Sequence, residues 1–261
     1  MSTLKDTGKL LNIPEGIIEL PLKPYEIKNS KNVLIISDTH FPFHDKKAIE
    51  TALNYRDNID TVILLGDLMD IYQGSRFSKD PSRAKLLDEI KICNEFLKYV
   101  KAKFKKAQII YYEGNHEQRM SRYVADHPFI FGLEAVSLNS LLELNKLGIK
   151  WIDNGVGLKL SSAFLLHGNE AGSKGGINIA RTMILKTNDN CIFGNFHKTQ
   201  ESSAKSLDGN EYANWSIGCL CGLKPAYMPI NQWNHGFGVM EVFGKEFEFN
   251  NKRILTSYNV R

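Results

Sequence analysis

Three short apolar segments alternate with segments of helical periodicity in the first half of the chain. This alternation constrains the fold more than any other feature of the sequence. The apolar segments Val33–Ser37, Thr61–Leu65 and Gln108–Tyr112 have the length and composition of buried strands. Between them, Asp45–Tyr55 and Pro81–Lys106 carry apolar residues at helical spacing, and Asp45 is the expected N-cap of the first helix. Strands that alternate with helices form βαβ units, so we predict a largely parallel sheet.

The second half of the chain has a different pattern, in which short apolar segments are mostly separated by glycine-containing turns. The strands predicted there are Ile149–Ile152, Ala163–Leu166, Cys191–Phe193, Trp215–Ile217 and Gly238–Phe243. One helix is predicted near Ile177–Lys186. We therefore expect a single α/β domain over residues 31–261, with a strand-rich second half. A mixed arm over residues 1–30, with one short strand around Ile17–Leu20, precedes it.

The composition excludes disordered and membrane-spanning classes of protein. The chain has 261 residues, of which 43% are hydrophobic, and 33 basic residues stand against 29 acidic ones. Its apolar runs, such as Val62–Leu65, are far shorter than the ~18 residues of a spanning helix. No secretory signal is visible, so we expect a cytoplasmic protein without a membrane partner. Reduced, buried thiols are expected for its four cysteines, which are Cys93, Cys191, Cys219 and Cys221.

Polar side chains follow five of the predicted strands, at the point where each strand ends. They are Asp38, His40, Asp67, Asp70, Asn115 and His116 in the first half, and His167, Asn195 and His197 in the second. In open parallel sheets, ligands bind at the carboxyl ends of the strands. Imidazole combined with carboxylate suits divalent ions such as Mn²⁺, Fe²⁺, Zn²⁺ or Ni²⁺. A carboxylate such as Asp67 can bridge two ions ~3.5–4 Å apart, which is the arrangement that supports phosphoryl transfer.

These segments resemble the five ordered motifs of the calcineurin-like metallophosphoesterases. The matching motifs are Asp38-x-His40, Gly66-Asp67-x-x-Asp70, Gly114-Asn115-His116-Glu117, His167 and Gly194-x-x-His197. The resemblance covers residues from about 33 to about 200. A narrower similarity, over Trp215–Leu220 and Asn231–Phe237, is to a phage-type branch of the family. The family fold consists of two stacked mixed β-sheets flanked by helices, a four-layer αββα sandwich.

The resemblance implies a role for each matching residue. The first metal ion would be held by Asp38, His40 and His197. The second would be held by Asn115 and His167. Asp67 would bridge the two ions. His116 would stabilise or protonate the leaving group, and Asp70 would orient it. The expected cofactor is therefore a pair of divalent ions, with Mn²⁺ as the first choice and Fe, Zn or Ni as alternatives.

Asn195 departs from the family pattern, because the family has a histidine at this position that binds the second metal. An amide oxygen binds borderline ions less well than imidazole does. The second site is therefore weak, completed by water, or completed by Asn169 or Glu170; a deliberate substitution is a further alternative. Arg119 is a predicted substrate-binding residue, with an ordinary surface arginine as an equal alternative.

The reaction implied is hydrolysis of a phosphate ester by a metal-activated hydroxide. Protein phosphatases of the family carry arginine after the second aspartate of the Gly-Asp motif, whereas Ile71 follows Asp70 here. We therefore expect a phosphodiesterase or nuclease that acts on nucleotides or nucleic acid. The alternatives are a phosphomonoesterase, or a binding or scaffold protein in which Asn195 weakens catalysis. Four aromatic residues could stack on bases, although packing in the core is the expected role for them: Trp215, Tyr227, Trp233 and Phe237.

Overall fold

Twelve strands form two six-stranded sheets in the computed structural model, which describes residues 15–17, 22–80, 82–172 and 176–261. The strands are β1 (Tyr25–Glu26), β2 (Asn32–Ile36), β3 (Thr61–Leu65), β4 (Gln108–Tyr112), β5 (Ile149–Ile152), β6 (Leu158–Leu160), β7 (Ala163–Leu166), β8 (Asn190–Phe193), β9 (Gln200–Lys205), β10 (Glu211–Ser216), β11 (Gly236–Phe243) and β12 (Glu246–Arg253). All eight strands predicted after residue 31 are present, with ends that shift by up to a few residues.

Six α-helices accompany these strands in the described residues. They are α1 (Lys46–Leu53), α2 (Leu86–Lys103), α3 (Gln118–Asp126), α4 (Leu138–Leu141), α5 (Leu144–Leu147) and α6 (Ile179–Thr187). The Asp45 side chain caps α1 as predicted, accepting the Ala48 N–H at 2.9 Å. The predicted start of the second helix, Pro81, lies outside the described residues; α2 begins at Leu86, and Asp80 accepts the Ser82 N–H in a local turn before it. None of the described helices is long and apolar enough to cross a bilayer.

The first sheet has the order β12-β11-β2-β3-β4-β5; β2, β3 and β4 are parallel as predicted, and β5 adds a fourth parallel strand. The hairpin β11–β12 returns from the end of the chain and pairs antiparallel with β2, with Gly238 opposite Ile35. The second sheet has the order β1-β6-β7-β8-β10-β9. Its edge strand β1 belongs to the predicted arm, so the arm contributes to the sheet. The strand predicted around Ile17–Leu20 lies, apart from Ile17, outside the described residues.

The hydrophobic core lies in three layers, between and outside the sheets. The facing sides of the sheets share one cluster, which includes Ile35, Ile63, Ile110, Leu165 and Ile192. The outer side of the first sheet packs on α1 and α2, and the outer side of the second packs on α6. This four-layer arrangement confirms the predicted fold class of two stacked mixed sheets flanked by helices. The parallel strands direct their carboxyl ends to one rim, where the polar turns follow.

Candidate metal centre

The polar turns at the ends of both sheets meet in a single buried cluster. β2, β3 and β4 are parallel neighbours in the first sheet, and β7 and β8 are parallel neighbours in the second. His167 Nε2, which follows β7, lies 3.2 Å from Asp67 Oδ1, which follows β3. The strand ends of two different sheets therefore contribute side chains to one site.

The three residues predicted to hold the first metal converge on one point. His197 Nε2 lies 3.1 Å from Asp38 Oδ1 and 3.2 Å from His40 Nε2. His40 Nε2 is also 3.8 Å from Asp38 Oδ1. All three side chains are buried, and their metal-binding atoms point towards each other and away from solvent. Two imidazoles and a carboxylate in this geometry can coordinate one divalent ion.

Asp67 lies between this group and His167. Its Oδ2 atom is 3.8 Å from His40 Nε2, while its Oδ1 atom is 3.2 Å from His167 Nε2. Oδ1 also accepts the His116 backbone N–H at 2.9 Å. The two carboxylate oxygens thus face two different imidazoles, which is the arrangement that a bridging ligand requires.

His167 carries a buried nitrogen that lacks a hydrogen-bond partner. Its Nδ1 atom lies 2.8 Å from the Leu65 carbonyl oxygen, so Nδ1 is the donor and Nε2 is directed into the site. Nε2 is fully buried; Asp67 Oδ1 lies 3.2 Å away, but without hydrogen-bond geometry, so Nε2 has no hydrogen-bond partner among the described residues. A polar atom orphaned in this way fits a missing ligand, and a hydrogen bond on the other ring nitrogen is typical of metal-binding histidines.

The electrostatics of the cluster favour bound positive charge. Burial opposes protonation of His167, but the Asp67 carboxylate outweighs it and raises the pKa of His167 to about 10. Burial likewise opposes protonation of His197, and Asp38 raises the pKa of His197 to about 9. The carboxylates therefore hold protons on these imidazoles, and a divalent cation would take the place of those protons. The residues present thus fit a divalent metal.

The two asparagines predicted as ligands lie at the rim of the cluster. Asn115 is half-buried in the turn after β4, and Asn195 is half-buried in the turn after β8. The Asn195 backbone N–H donates to Asp38 Oδ2 at 2.9 Å. The Glu170 oxygens accept hydrogen bonds from the backbone N–H groups of His167 and Gly168, so Glu170 fastens the turn after β7.

The backbone of the site is held in sparsely populated conformations. Five of the predicted ligands have a positive φ, between 49° and 65°: Asp38, His40, Asp67, Asn195 and His197. Left-handed backbone at residues other than glycine is uncommon and clusters at functional sites. Gly114 explains part of the close packing, because a Cβ there would overlap the Asp67 carboxylate. The turns are therefore shaped to bring side chains together.

Asp70 contacts two histidines, whereas the family resemblance implies a contact with His116 only. Asp70 Oδ1 lies 3.2 Å from His40 Nδ1 and 3.3 Å from His116 Nδ1. The shortest contact, 2.7 Å, joins His116 Nδ1 to the Asp70 backbone carbonyl, so Nδ1 is the donor. Burial opposes ionisation of Asp70, but hydrogen bonds with the two histidines keep its pKa well below the usual value. Asp70 can therefore orient His40 and His116 together.

Arg119 stands on the first turn of α3, directly beside His116. One guanidinium nitrogen, Nη1, donates to the Asp70 carbonyl at 2.8 Å, and Nη2 lies 3.0 Å from His116 Nε2. Arg119 is half-buried. Its guanidinium therefore lies at the predicted catalytic histidine, which a surface arginine would not reach.

Glu117 is a buried carboxylate to which the sequence analysis gave no role. Its Oε2 atom accepts the backbone N–H groups of Asp67 and Gly114, both at 2.9 Å. Its Oε1 atom accepts from the Met69 N–H at 3.1 Å and the Tyr111 hydroxyl at 2.8 Å. Glu117 thus fastens the turns after β3 and β4 to each other. Its place in the Gly114-Asn115-His116-Glu117 motif is the signal that could have identified it.

Glu89 on α2 supports the site from the other side, and no sequence signal distinguishes it from a surface glutamate. It is fully buried and accepts the Ile71 N–H at 2.6 Å and the Tyr72 N–H at 3.2 Å. Ile71 has a φ of 42°, which is unfavourable for a β-branched residue. Glu89 thereby fixes the strained turn that follows Asp70.

A thiol also lies at the site. It was not expected there, because none of the five motifs contains a cysteine. Cys221 Sγ is 3.9 Å from His197 Nδ1, the ring nitrogen opposite the one that faces Asp38. All four cysteines are buried and free, in agreement with the sequence analysis. Ligand atoms of Cys221, His40 and His197 lie within 4.8 Å of one another, so this thiol is near enough to join the first group of metal ligands.

Comparison with known proteins gives relatives of two kinds. The chain is 27% identical over 245 residues to the gene 54 protein of Mycobacterium phage L5, covering 83% of this chain and 91% of that protein. It is 26% identical over 236 residues to the gene 54 protein of Mycobacterium phage D29, covering 82% and 90%. Among solved structures, Vps29 from Chaetomium thermophilum matches with a TM-score of 0.47 at 12% identity, covering 89% of this chain and 95% of that one.

A family model completes the comparison. The model described as calcineurin-like phosphoesterase matches residues 31–217, which include every predicted metal ligand. This range covers more than half of the chain and both groups of polar turns. The chain belongs to the calcineurin-like phosphoesterase family.

Proposed function

We propose that the protein is a phosphodiesterase that hydrolyses nucleotide or nucleic-acid phosphoesters at a centre of two divalent metal ions. The single observation that carries the proposal is the position of Asp67. Its two oxygens face His40 on one side and His167 on the other, at 3.8 and 3.2 Å. His116 stands beside the same carboxylate, with Nε2 3.8 Å from Asp67 Oδ2.

Each residue of the cluster has a place in this proposal. The first ion would be held by Asp38, His40 and His197, the second by Asn115, His167 and Asn195, and Asp67 would contact both. When bound, the two ions supply Lewis-acid charge to the phosphoryl oxygens and activate the attacking water. Mn²⁺ is the ion that we favour for this set of imidazole and oxygen ligands.

The protein's own proton donor is His116. Its Nδ1 is engaged by the Asp70 carbonyl, so proton transfer to the leaving oxygen takes place from Nε2. Arg119 Nη2 now lies 3.0 Å from this atom. When substrate binds, the guanidinium turns to a phosphoryl oxygen and neutralises its charge. Nε2, which no longer accepts from Arg119, takes up a proton from solvent and passes it to the leaving oxygen.

Removal of the metal tests the proposed function. Chelation followed by dialysis should reduce hydrolysis of bis-p-nitrophenyl phosphate at least about 10³-fold, because several kcal/mol of charge stabilisation is lost. Added Mn²⁺ should restore it, and the diester should be hydrolysed faster than p-nitrophenyl phosphate. Faster hydrolysis of the monoester would identify a phosphomonoesterase. Bound metal without turnover of either ester would favour a binding or scaffold protein.

Asn195 gives a second prediction, which concerns the metal affinity of the second site. Asn195→His should raise turnover at limiting Mn²⁺ and have a smaller effect at saturating Mn²⁺, because mass action already fills the site there. Histidine tolerates the left-handed backbone of this position, φ 65°, better than most residues. Titration of activity against Mn²⁺ measures the change.

A matched control for this substitution is Asn188→His. Asn188 is exposed, has a left-handed backbone with a φ of 47°, and ends α6. This variant should leave the Mn²⁺ dependence unchanged. An unchanged or weakened Mn²⁺ dependence in the Asn195→His protein would mean that asparagine completes the site as it stands.

A further inference from the structure

A cavity of about 320 Å³ opens beside the metal cluster. His40 and Asp70 form part of its wall, so the cavity and the cluster share residues. The volume lies at the lower end of the ~300–1,000 Å³ typical of small-molecule sites. A group attached to a phosphate bound at the cluster would therefore enter the cavity.

The remaining wall consists mainly of aromatic and basic side chains. The aromatic ones are Phe43, Tyr227 and Trp233, and the basic ones include Arg83 and Lys224. Tyr227 and Trp233 belong to the irregular segment between β10 and β11, and their ring centroids lie 6.3 Å apart with the ring planes at 64° to each other. Aromatic faces bind other flat rings by stacking, and a neighbouring cation adds to the attraction for an electron-rich ring or a phosphate.

Trp233 is held in place by contacts that do not depend on a ligand. Its ring meets the His197 imidazole edge to face, with centroids 4.1 Å apart. Its backbone N–H donates to Asn231 Oδ1 at 2.9 Å. The indole is only half-buried, so part of it remains available to the cavity. A stacking surface that is already ordered costs less free energy to use on binding.

Arg83, another residue of the wall, is held by contacts with two aromatic rings. Its guanidinium lies 4.7 Å from the centre of the Phe43 ring and 4.9 Å from that of the Tyr72 ring. This position between two rings fixes the guanidinium plane while its N–H groups remain donors. Such a group can hydrogen-bond to the carbonyl or ring nitrogen of a flat heterocycle.

The other aromatic residues considered for base stacking have different surroundings. Phe237 is fully buried in the core. Trp215 packs against Phe249, with ring centroids 5.2 Å apart. Among these four aromatic residues, Tyr227 and Trp233 are thus the ones that line the cavity and can contact a ligand.

We propose that this cavity binds one nucleobase of the substrate, stacked on Trp233, met at its edge by Tyr227 and contacted by Arg83, while the attached phosphate lies at the metal cluster. The proposal rests on the proposed function for the position of the phosphate. The cavity has room for a single unstacked base, so the preferred substrate is a nucleotide or a single-stranded end.

The test compares two ligands that differ only in the base. Adenosine 5′-monophosphate and ribose 5-phosphate are titrated into the metal-loaded protein and their Kd values are measured by calorimetry. We expect the nucleotide to bind roughly 5- to 150-fold more tightly, the range for stacking of one base. Equal affinity would overturn the proposal. Equally tight binding of O-phosphotyrosine would also overturn it, because the cavity would then recognise any aromatic phosphoester.

Two variants locate the effect in the cavity. Tyr227→Ala and Trp233→Ala should each reduce the ratio of the two Kd values, and Tyr227 is 64% exposed, so its replacement leaves the packing intact. Tyr99→Ala, which removes an exposed tyrosine of α2, should keep the ratio. A ratio that persists in both cavity variants would place the base elsewhere.

A kinetic comparison separates failure of this proposal from failure of the proposed function. Thymidine 5′-(p-nitrophenyl phosphate) and methyl p-nitrophenyl phosphate have the same leaving group, and only the first carries a base. A higher kcat/KM for the thymidine ester supports the base site. Equal kcat/KM values would contradict the base site while the phosphodiesterase function stands. Absence of turnover with both esters would contradict the function, and the Kd ratio would still decide on the base site.

Discussion

Replacement of Asp67 by alanine is expected to abolish hydrolysis and to disturb both metal sites together. Asp67 is 1% exposed, and its oxygens face His40 and His167, which belong to the two different groups of ligands. Two cations held close to each other without a shared anion repel. Because the ions supply several kcal/mol of stabilisation to the transition state, activity should fall at least about 10³-fold.

Metal stoichiometry measured by calorimetry and elemental analysis checks this result. Asp67→Asn, which keeps the shape and one oxygen, should show the same joint weakening to a smaller degree. Asp60→Ala is a control, because Asp60 accepts backbone N–H groups of Lys31 and Asn32. That variant should lose stability and keep both metals. Loss of one ion from the Asp67→Ala protein, with the other retained, would make Asp67 a ligand of one ion only.

The cluster could be predicted because its residues follow predicted strands. Strands such as Thr61–Leu65 are apolar and short, and parallel neighbours must end at the same rim. The short side chains at these ends, among them Asp38 and His197, reach only a few ångströms. Their position along the chain therefore determines their position in space. The strand ends predicted which residues converge, and the family resemblance implied which of them share a metal ion.

Sheet membership could not be predicted in the same way. Gly238–Phe243 reads as a strand, but its apolar pattern does not name its partner, and the hairpin β11–β12 returns to pair with β2. In strand β9 (Gln200–Lys205) every second residue is exposed, and the strand contains no apolar run. Its pairing with β10 comes from tertiary context, which local periodicity does not contain.

Long side chains account for the remaining differences. Glu89 on α2 resembles a solvent-facing glutamate in the sequence, yet it is fully buried and binds the backbone after Asp70. Burial raises the pKa of Glu89 to about 7, which shows how strongly the site withdraws it from water. Arg119 likewise could point to solvent or to His116, and only the structure gives its direction.

Replacement of His116 by alanine is expected to lower the rate about 10²–10⁴-fold and to leave the metal content near that of the unchanged protein. Its Nδ1 donates to the Asp70 carbonyl, so its remaining nitrogen is the one that can serve the leaving group. The loss should shrink for esters with good leaving groups, which need little protonation. The difference is measured by comparing the rates for two phosphodiesters that differ only in their leaving group, p-nitrophenol or phenol.

The competing role for His116 is metal binding, which the geometry also permits. One ligand atom each of His40, Asp67 and His116 lies within 4.8 Å of the others. A general acid and a metal ligand differ in two readouts, the dependence on leaving group and the metal content. His127→Ala, at the exposed end of α3, should change neither readout. Two results together would make His116 a ligand: loss of metal from the His116→Ala protein, and an equal fold-decrease in rate for both esters. Proton transfer would then belong to another group.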